Sequence, residues 1–91
     1  MRSVITVVGK DVVGILAAVS GLCAEHSVNV IEVSQSILQD MFCMIMLTDV
    51  SRCDIPFTQF TEEMERLGDQ HDPQLKIHVM HEDIFNSMHR I

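Results

Sequence analysis

The segment between the first two glycines carries the pattern that most directly suggests a binding function. Gly9 and Gly14 enclose a four-residue loop, 10–13, which follows a β-branched run over 4–8 and precedes a helical pattern. Glycine permits backbone angles and close approaches that a side chain forbids. The first N–H groups of a helix attract anions and carboxylates. We therefore expect a small effector to bind at this loop.

Five histidines raise the question of a metal site. His78 and His81 lie three residues apart, and Glu82 and Asp83 follow directly. On a strand these two histidines point to opposite faces, so they share a metal only if the strand ends between them. The sequence contains no His-x-x-x-His motif and no Cys-x-x-Cys motif. We expect no metal site and no cofactor.

The three cysteines do not form a recognisable redox or catalytic pattern. Cys23 and Cys43 fall in apolar periodic stretches, which indicates buried, inert thiols. Cys53 lies in a loop beside Arg52 and is a candidate reactive thiol, but no histidine is near it in sequence. The odd number and the absence of paired spacing favour reduced thiols in a cytoplasmic protein.

Composition excludes several classes of partner. The chain has 91 residues, which fits one domain over 1–91, and its formal net charge is −7. A nucleic-acid-binding protein needs a basic surface that this chain lacks, and an anionic membrane surface is excluded for the same reason. The longest apolar run, 41–47, is too short to span a bilayer. We expect a cytoplasmic protein with no nucleic-acid or membrane partner.

Two segments show helical periodicity. Apolar residues recur at three- and four-residue spacing over 14–26 and again over 57–67. Asp54 is predicted to cap the second helix, Pro56 suits its first turn, and Gly68 is predicted to be its C-cap.

Alternating patterns over 30–38, 41–50 and 75–80 predict three strands after the one at 4–8, and Asp83 is predicted to cap a short last helix. The order strand, helix, strand, strand, helix, strand is that of an α+β, ferredoxin-like βαββαβ sandwich. Right-handed crossovers place both long helices on one face of a four-stranded antiparallel sheet. The short C-terminal helix is an addition to this pattern.

The strand over 41–50 is apolar on both faces, unlike its predecessor. Its two sets are Phe42, Met44 and Met46 on one face and Met41, Cys43, Ile45 and Leu47 on the other. A single layer of helices covers only one face, and contiguous exposed apolar surface marks an interaction site. We expect the open face, or a sheet edge beside it, to be buried in a homodimer.

At this point the chain resembles an ACT domain, and more closely the small stand-alone ACT proteins. It is also similar to ACT modules of the glycine-cleavage-repressor type. The resemblance spans nearly the whole chain. It rests on five segments, 4–14 (VITVVGKDVVG), 19–25 (VSGLCAE), 29–35 (NVIEVSQ), 41–47 (MFCMIML) and 84–91 (IFNSMHRI).

The resemblance implies that a small ligand, often an amino acid, binds at a subunit interface. The family's ligand loop maps onto Asp11, Val12, Val13 and Gly14, and Asn29 matches a common polar position at the start of the second strand. Backbone N–H groups near Gly14 can bind a carboxylate, and Asp11 or the Asn29 amide can hold an α-amino group. The alternative is that Gly14 only starts the helix, Asp11 is a cap and Asn29 is a turn residue.

Two hypotheses for function follow. In the first, a non-enzymatic homodimer binds an amino acid or similar metabolite and signals to a separate partner protein, because no catalytic domain is attached. In the second, the chain is a ligand-independent dimerisation or interaction module. An enzyme would need convergent acid and base groups. An acylphosphatase needs an arginine in the first loop, which offers only Lys10, and a heavy-metal domain needs paired cysteines there.

Overall fold

Seven elements follow one another along the chain. The computed structural model describes residues 1–10, 14–71 and 74–89. The elements are β1 (Arg2–Gly9), α1 (Ile15–Glu25), β2 (Asn29–Leu38), β3 (Met41–Asp49), α2 (Phe57–Gln70), β4 (Lys76–His81) and α3 (Glu82–His89). This order confirms the predicted βαββαβ pattern with a short additional helix at its end.

The four strands form one antiparallel sheet in the order β2-β3-β1-β4. The two central strands are β1 and β3, as the ferredoxin-like prediction requires. Gly9 lies opposite Phe42 at one end of this pair, and Arg2 lies opposite Asp49 at the other end. The turn at 26–28 and the loop at 50–56 therefore lie at the Arg2 end of the sheet, which matters for the position of the site.

The hydrophobic core lies between one face of the sheet and the two long helices. Ile5 and Val7 on β1 lie opposite Met46 and Met44 on β3, and all four are buried. Helix α1 lies beside β2, and α2 packs on β4. The remaining buried members from the helices and β4 are Ile15, Val19, Cys23, Phe60, Met64 and Ile77.

Helix α1 is apolar on both its inner and its outer side. Ile15, Val19 and Cys23 recur every four residues and face the core. The other side carries Leu16, which is 41% exposed, and three small exposed residues, Ala17, Gly21 and Ala24. A helix with apolar residues around most of its circumference is typical of one that is covered on two sides.

Helix α2 begins differently from the sequence prediction. Pro56 is its N-cap residue, and no side chain caps the first turn. The prediction that Asp54 caps this helix is wrong, because the Asp54 carboxylate hydrogen-bonds the His26 ring instead. The fixed φ of Pro56 already suits a helix start, and its carbonyl accepts the Phe60 N–H at 3.0 Å.

The end of α2 also differs from the prediction. Gly68 lies inside the helix, which continues to Gln70, so it is not the C-cap. It is buried where the helix meets the chain entering β4. A Cβ at Gly68 would lie 2.6 Å from the Leu75 carbonyl oxygen. Glycine is needed here for a close approach of two backbone segments and not for a left-handed angle.

The second face of the sheet carries no layer of long helices. Val4 on this face is buried, but Ile45 is 41% exposed, and Cys43 and Leu47 are half-buried. Cys43 was predicted to be buried. It is partly accessible because it points to this open face, opposite Val8. Within the described residues no helix is long and apolar enough to cross a bilayer.

Candidate ligand-binding site

Gly14 is the part of the predicted ligand loop that the structure describes. It is the N-cap residue of α1 and adopts a left-handed conformation with φ of 76°. Its carbonyl accepts the Ala18 N–H at 2.9 Å, and its position is exposed. A Cβ at Gly14 would meet nothing within 4 Å. Open space therefore lies beside the start of a helix whose first turn contains no acidic side chain.

The other predicted members of this loop, Asp11, Val12 and Val13, lie outside the described residues. Gly9, which begins the loop in the sequence pattern, is the last residue of β1. A Cβ there would clash with Cδ2 of Leu75. Gly9 therefore allows Leu75 to pack on the sheet, which is a structural role.

Asn29 lies at the end of the sheet opposite to Gly14 within one subunit. Asn29 starts β2, opposite Asp49, just after α1 ends. The 11 residues of α1 span about 16 Å, and Gly14 is at its start. The structure therefore does not bring Gly14 and Asn29 together within a single chain.

A polar cavity surrounds Asn29. It has a volume of about 330 Å³ and is lined by Ser27, Asn29, Asp49, Ser51 and Arg52. Ser27 has a φ of 61°, so the chain turns sharply between α1 and β2. Sequence reasoning identified Asn29 but missed the rest of this cavity, because its lining comes from two loops that are 20 or more residues apart in the chain.

A charged cluster beside this cavity ties the same two loops to α2. His26 Nδ1 lies 2.8 Å from Asp54 Oδ1, and His26 Nε2 lies 2.9 Å from Glu63 Oε1. These hydrogen bonds raise the pKa of His26, and the bond to His26 lowers the pKa of Glu63. The backbone N–H of Asp54 also donates to the His26 carbonyl at 3.2 Å. His26 thus fixes the loop that contains Arg52 against the turn that contains Ser27.

A second cavity lies at the Gly9 end of the sheet. Its volume is about 390 Å³, and Gln35, Ser36, Ile37 and Phe42 line it. Ile37 is 68% exposed, the largest exposed fraction among the large hydrophobic residues described. This cavity therefore presents an apolar wall to solvent at an edge of the sheet.

The described residues do not form a metal or thiol centre. No group of three histidine, cysteine or acidic side chains among them could hold a metal ion. His78 and His81 pair with Thr6 and Ser3, so they lie on opposite faces of β4 as predicted. Burial raises the pKa of the Cys23 thiol to about 11, which leaves it protonated and unreactive at neutral pH.

Comparison with known proteins identifies the family. The family model described as ACT domain matches residues 2–78. The chain belongs to the ACT domain family. A UPF0237 protein of Clostridium perfringens is 48% identical to it over 91 residues, with both chains covered completely.

Solved ACT structures share the fold. An ACT domain protein from Streptococcus pneumoniae superposes with a TM-score of 0.79 and 38% identity, and 93% of each chain is covered. A protein described as a glycine cleavage system transcriptional repressor gives a TM-score of 0.65 and 28% identity, with 86% of this chain and 43% of that chain covered. The predicted resemblance, both to small ACT proteins and to the repressor type, is confirmed.

ACT domains are regulatory ligand-binding modules and often dimerise. Within one subunit, however, Gly14 and Asn29 lie at opposite ends of the sheet, and the polar cavity includes Asn29 but not Gly14. Any function that uses both positions together therefore requires two subunits.

Proposed function

We propose that this ACT domain is a non-enzymatic regulatory module that binds an amino acid, or a similar small metabolite, between two subunits of a homodimer. The first loop of one subunit and Asn29 of the partner subunit form the site. Ligand binding then changes how the dimer engages a separate partner protein. The observation that carries this proposal is the placement of Gly14 and Asn29 at opposite ends of one subunit.

The β2 edge of the sheet is the surface that best suits pairing with a second copy. Strand β2 has 10 residues, and Ile31 and Ile37 on it are 45% and 68% exposed. The other edge strand, β4, is shorter and carries exposed Lys76 and His78. Each edge carries a charged residue, Glu32 on β2 and Lys76 on β4, so the greater length and the exposed aliphatic residues are what favour β2 for pairing.

Helix α1 extends this apolar edge. The helix lies beside β2, and its outer side carries Leu16, Ala17 and Gly21. Small residues allow two helices to approach closely, and burial of Leu16 adds hydrophobic stabilisation. A dimer that joins β2 to β2 would also bring the two α1 helices together.

Two-fold symmetry accounts for the separated halves of the site. Identical strands that pair about a two-fold axis run antiparallel. With the axis near Val33, in the middle of β2, the Asn29 end of the partner subunit's strand lies beside the Ile37 end. The irregularity between Val30 and Glu32 shifts the residue-by-residue pairing but not this arrangement of the ends. Ile37 is opposite Phe42, which is opposite Gly9, so this is the end of the sheet to which the first loop belongs. One dimer then contains two equivalent sites.

The resemblance to a glycine cleavage system repressor supports an amino acid as the class of ligand. The open face of the sheet supports the alternative, a ligand-independent interaction module. Ile45 and its half-buried neighbours Cys43 and Leu47 give this face an apolar surface that needs no small molecule to explain it.

Thermal unfolding in the presence of each common amino acid at millimolar concentration tests the proposal. A ligand at 100 times its dissociation constant adds about 2.7 kcal/mol to the free energy of unfolding. For a domain of this size, each kcal/mol raises the midpoint by about 4–8 °C. A shift with one or two related amino acids supports the regulatory site. No shift with any amino acid contradicts it and favours the interaction module.

A further inference from the structure

We infer that Arg52 binds the carboxylate of the ligand, and that the ligand is an amino acid with an aliphatic or aromatic side chain. The inference rests on the proposed homodimer. It assigns the polar cavity of one subunit to the carboxylate end of the ligand and the apolar cavity of the other subunit to the side chain. The second cavity combines Ile37 and Phe42 with Gln35 and Ser36, but no cationic side chain lines it.

The charge distribution in the polar cavity favours an anion. Arg52 is exposed, and neither it nor Asn29 makes a side-chain hydrogen bond or ion pair with any residue that the structure describes. Asp49 is the one acidic residue in the lining. Its Oδ1 accepts the Ser51 N–H at 2.9 Å and lies 3.8 Å from the amino group of Met1. The carboxylate of Asp49 is thus already engaged, while the guanidinium is available.

The neutral groups around Arg52 complete a site for a carboxylate. A guanidinium binds a carboxylate through two parallel hydrogen bonds. The Asn29 amide and the Ser27 hydroxyl add donors at the same opening. Arg52 is the one cationic side chain in the lining of this cavity. The volume of about 330 Å³ suits a small metabolite and not a polymer.

The apolar half comes from the other subunit. Pairing about an axis near Val33 brings Asn29 and Arg52 of the partner subunit to the end of β2 that carries Ile37. There the cavity of about 390 Å³ is lined by Gln35, Ser36, Ile37 and Phe42, of which Ile37 is the exposed apolar side chain. A ligand held by its carboxylate at Arg52 of the partner subunit would direct its side chain onto this wall. An apolar side chain gains from this contact, whereas a charged one would lose its hydration.

NMR titration of the intact protein tests the inference. The Nε–H signal of Arg52, the side-chain amide of Asn29 and the backbone N–H of Gly14 are followed during addition of L-leucine, L-phenylalanine, glycine, L-aspartate and inorganic phosphate. We expect leucine or phenylalanine to shift all three signals, with affinity about ten-fold or more above that of glycine and aspartate.

Three variants give the energetic test. Arg52→Ala should weaken binding of the apolar amino acid about ten-fold or more, because a charge-assisted hydrogen-bond pair is lost. Arg52→Lys should restore part of the affinity, since the charge remains but the paired geometry does not. Arg66→Ala, at an exposed arginine on α2, should leave binding unchanged.

The outcomes separate this inference from the proposed function. If an amino acid shifts Gly14 and binds Arg52→Ala as tightly as the natural chain, the role of Arg52 is wrong and the proposed function stands. If the Arg52 signal shifts only with phosphate, or if aspartate binds more tightly than leucine and phenylalanine, the proposed class of ligand is wrong. If no probe shifts any of the three signals, both are wrong.

Discussion

Asn29 and Asp49 face each other across β2 and β3 at one end of the sheet, whereas Gly14 begins α1 at the other. In an isolated subunit Gly14 and Asn29, the two positions that the family resemblance assigns to the ligand, therefore lie on different surfaces. An antiparallel dimer along β2 brings one end of each subunit against the opposite end of its partner. In the proposed dimer, the polar cavity of one subunit therefore lies near the Ile37 end of its partner.

The dimer proposal predicts a specific effect of charge on the β2 edge. Ile37→Lys should weaken self-association about ten-fold or more, because burying Ile37 contributes about 1.5–3 kcal/mol and a buried lysine adds a penalty. The fold should remain, since this side chain is 68% exposed. Sedimentation velocity at micromolar concentration measures the change.

The matched control is Ile84→Lys. Ile84 is 55% exposed and lies on α3, away from β2. Equal dissociation in both variants, or none in Ile37→Lys, would place the interface elsewhere.

Any side chain at Gly14 should lower the stability of the fold and also weaken ligand binding. At φ of 76°, a non-glycine residue costs about 1–2 kcal/mol, and a β-branched residue fares worst. Gly14→Val should therefore lower the free energy of unfolding more than Gly14→Asn, because asparagine tolerates this conformation. Urea denaturation measures the two differences.

Both Gly14 variants should still abolish ligand binding, because the added side chain enters the open space above the helix start. Undiminished binding by folded Gly14→Asn would remove Gly14 from the site.

Substitution of Gly68 should have a purely structural effect. Gly68→Ala places a methyl group 2.6 Å from a backbone oxygen that cannot move freely. Overpacking of this kind costs about 1–3 kcal/mol, which exceeds the gain of about 0.5–1 kcal/mol from replacing a helical glycine. Gly21→Ala on α1 meets nothing within 4 Å and should stabilise the subunit. Urea denaturation in which both variants behave alike would contradict this account of Gly68.

The hydrogen bonds of His26 predict a pH-dependent stability. The folded-state pKa of His26 is raised above the unfolded value of about 6.5 by its bonds to Asp54 and Glu63. The stabilisation from the protonated ring is therefore complete below about pH 6.5 and is lost as the pH rises through the folded-state pKa. Glu63 has a lowered pKa, so its contribution is lost on acidification instead.

Urea unfolding of the natural chain and of His26→Gln between pH 5 and pH 9 measures this dependence. The stability difference between the two proteins should shrink as the pH rises. His78→Gln, on an exposed position of β4, serves as the control. A difference that stays constant over this range would show that His26 does not act through its charge.

Periodicity predicted the fold well because each element buries one regular set of residues. The alternation over β3 and the spacing of Phe60 and Met64 on α2 both reflect burial against the same core. Local capping signals were less informative. Asp54 is a residue type that often caps helices, but its carboxylate hydrogen-bonds the His26 ring in the folded chain. A hydrogen bond from a protonated imidazole to a carboxylate is stronger than one from a neutral backbone N–H.

The candidate site was predictable only in part. Gly14 and Asn29 follow from the family resemblance, but their separation depends on the direction of α1 and the order of the strands. The cavity around Arg52 depends on two loops brought together by folding. Sequence reasoning noted Arg52 only as the neighbour of Cys53, and the signal that could have found the cavity is this cation in a short loop of an acidic chain.

Subunit mixing tests the central claim most directly. Gly14→Asn and Arg52→Ala are prepared separately, mixed after reversible unfolding, and titrated by calorimetry with the amino acid that gives the largest thermal shift. Each variant alone should bind weakly or not at all. Random mixed dimers should restore about a quarter of the natural number of tight sites, because each mixed dimer joins one intact loop to one intact Arg52. Restoration at this level confirms a site shared between subunits, and no restoration in stable mixed dimers contradicts it.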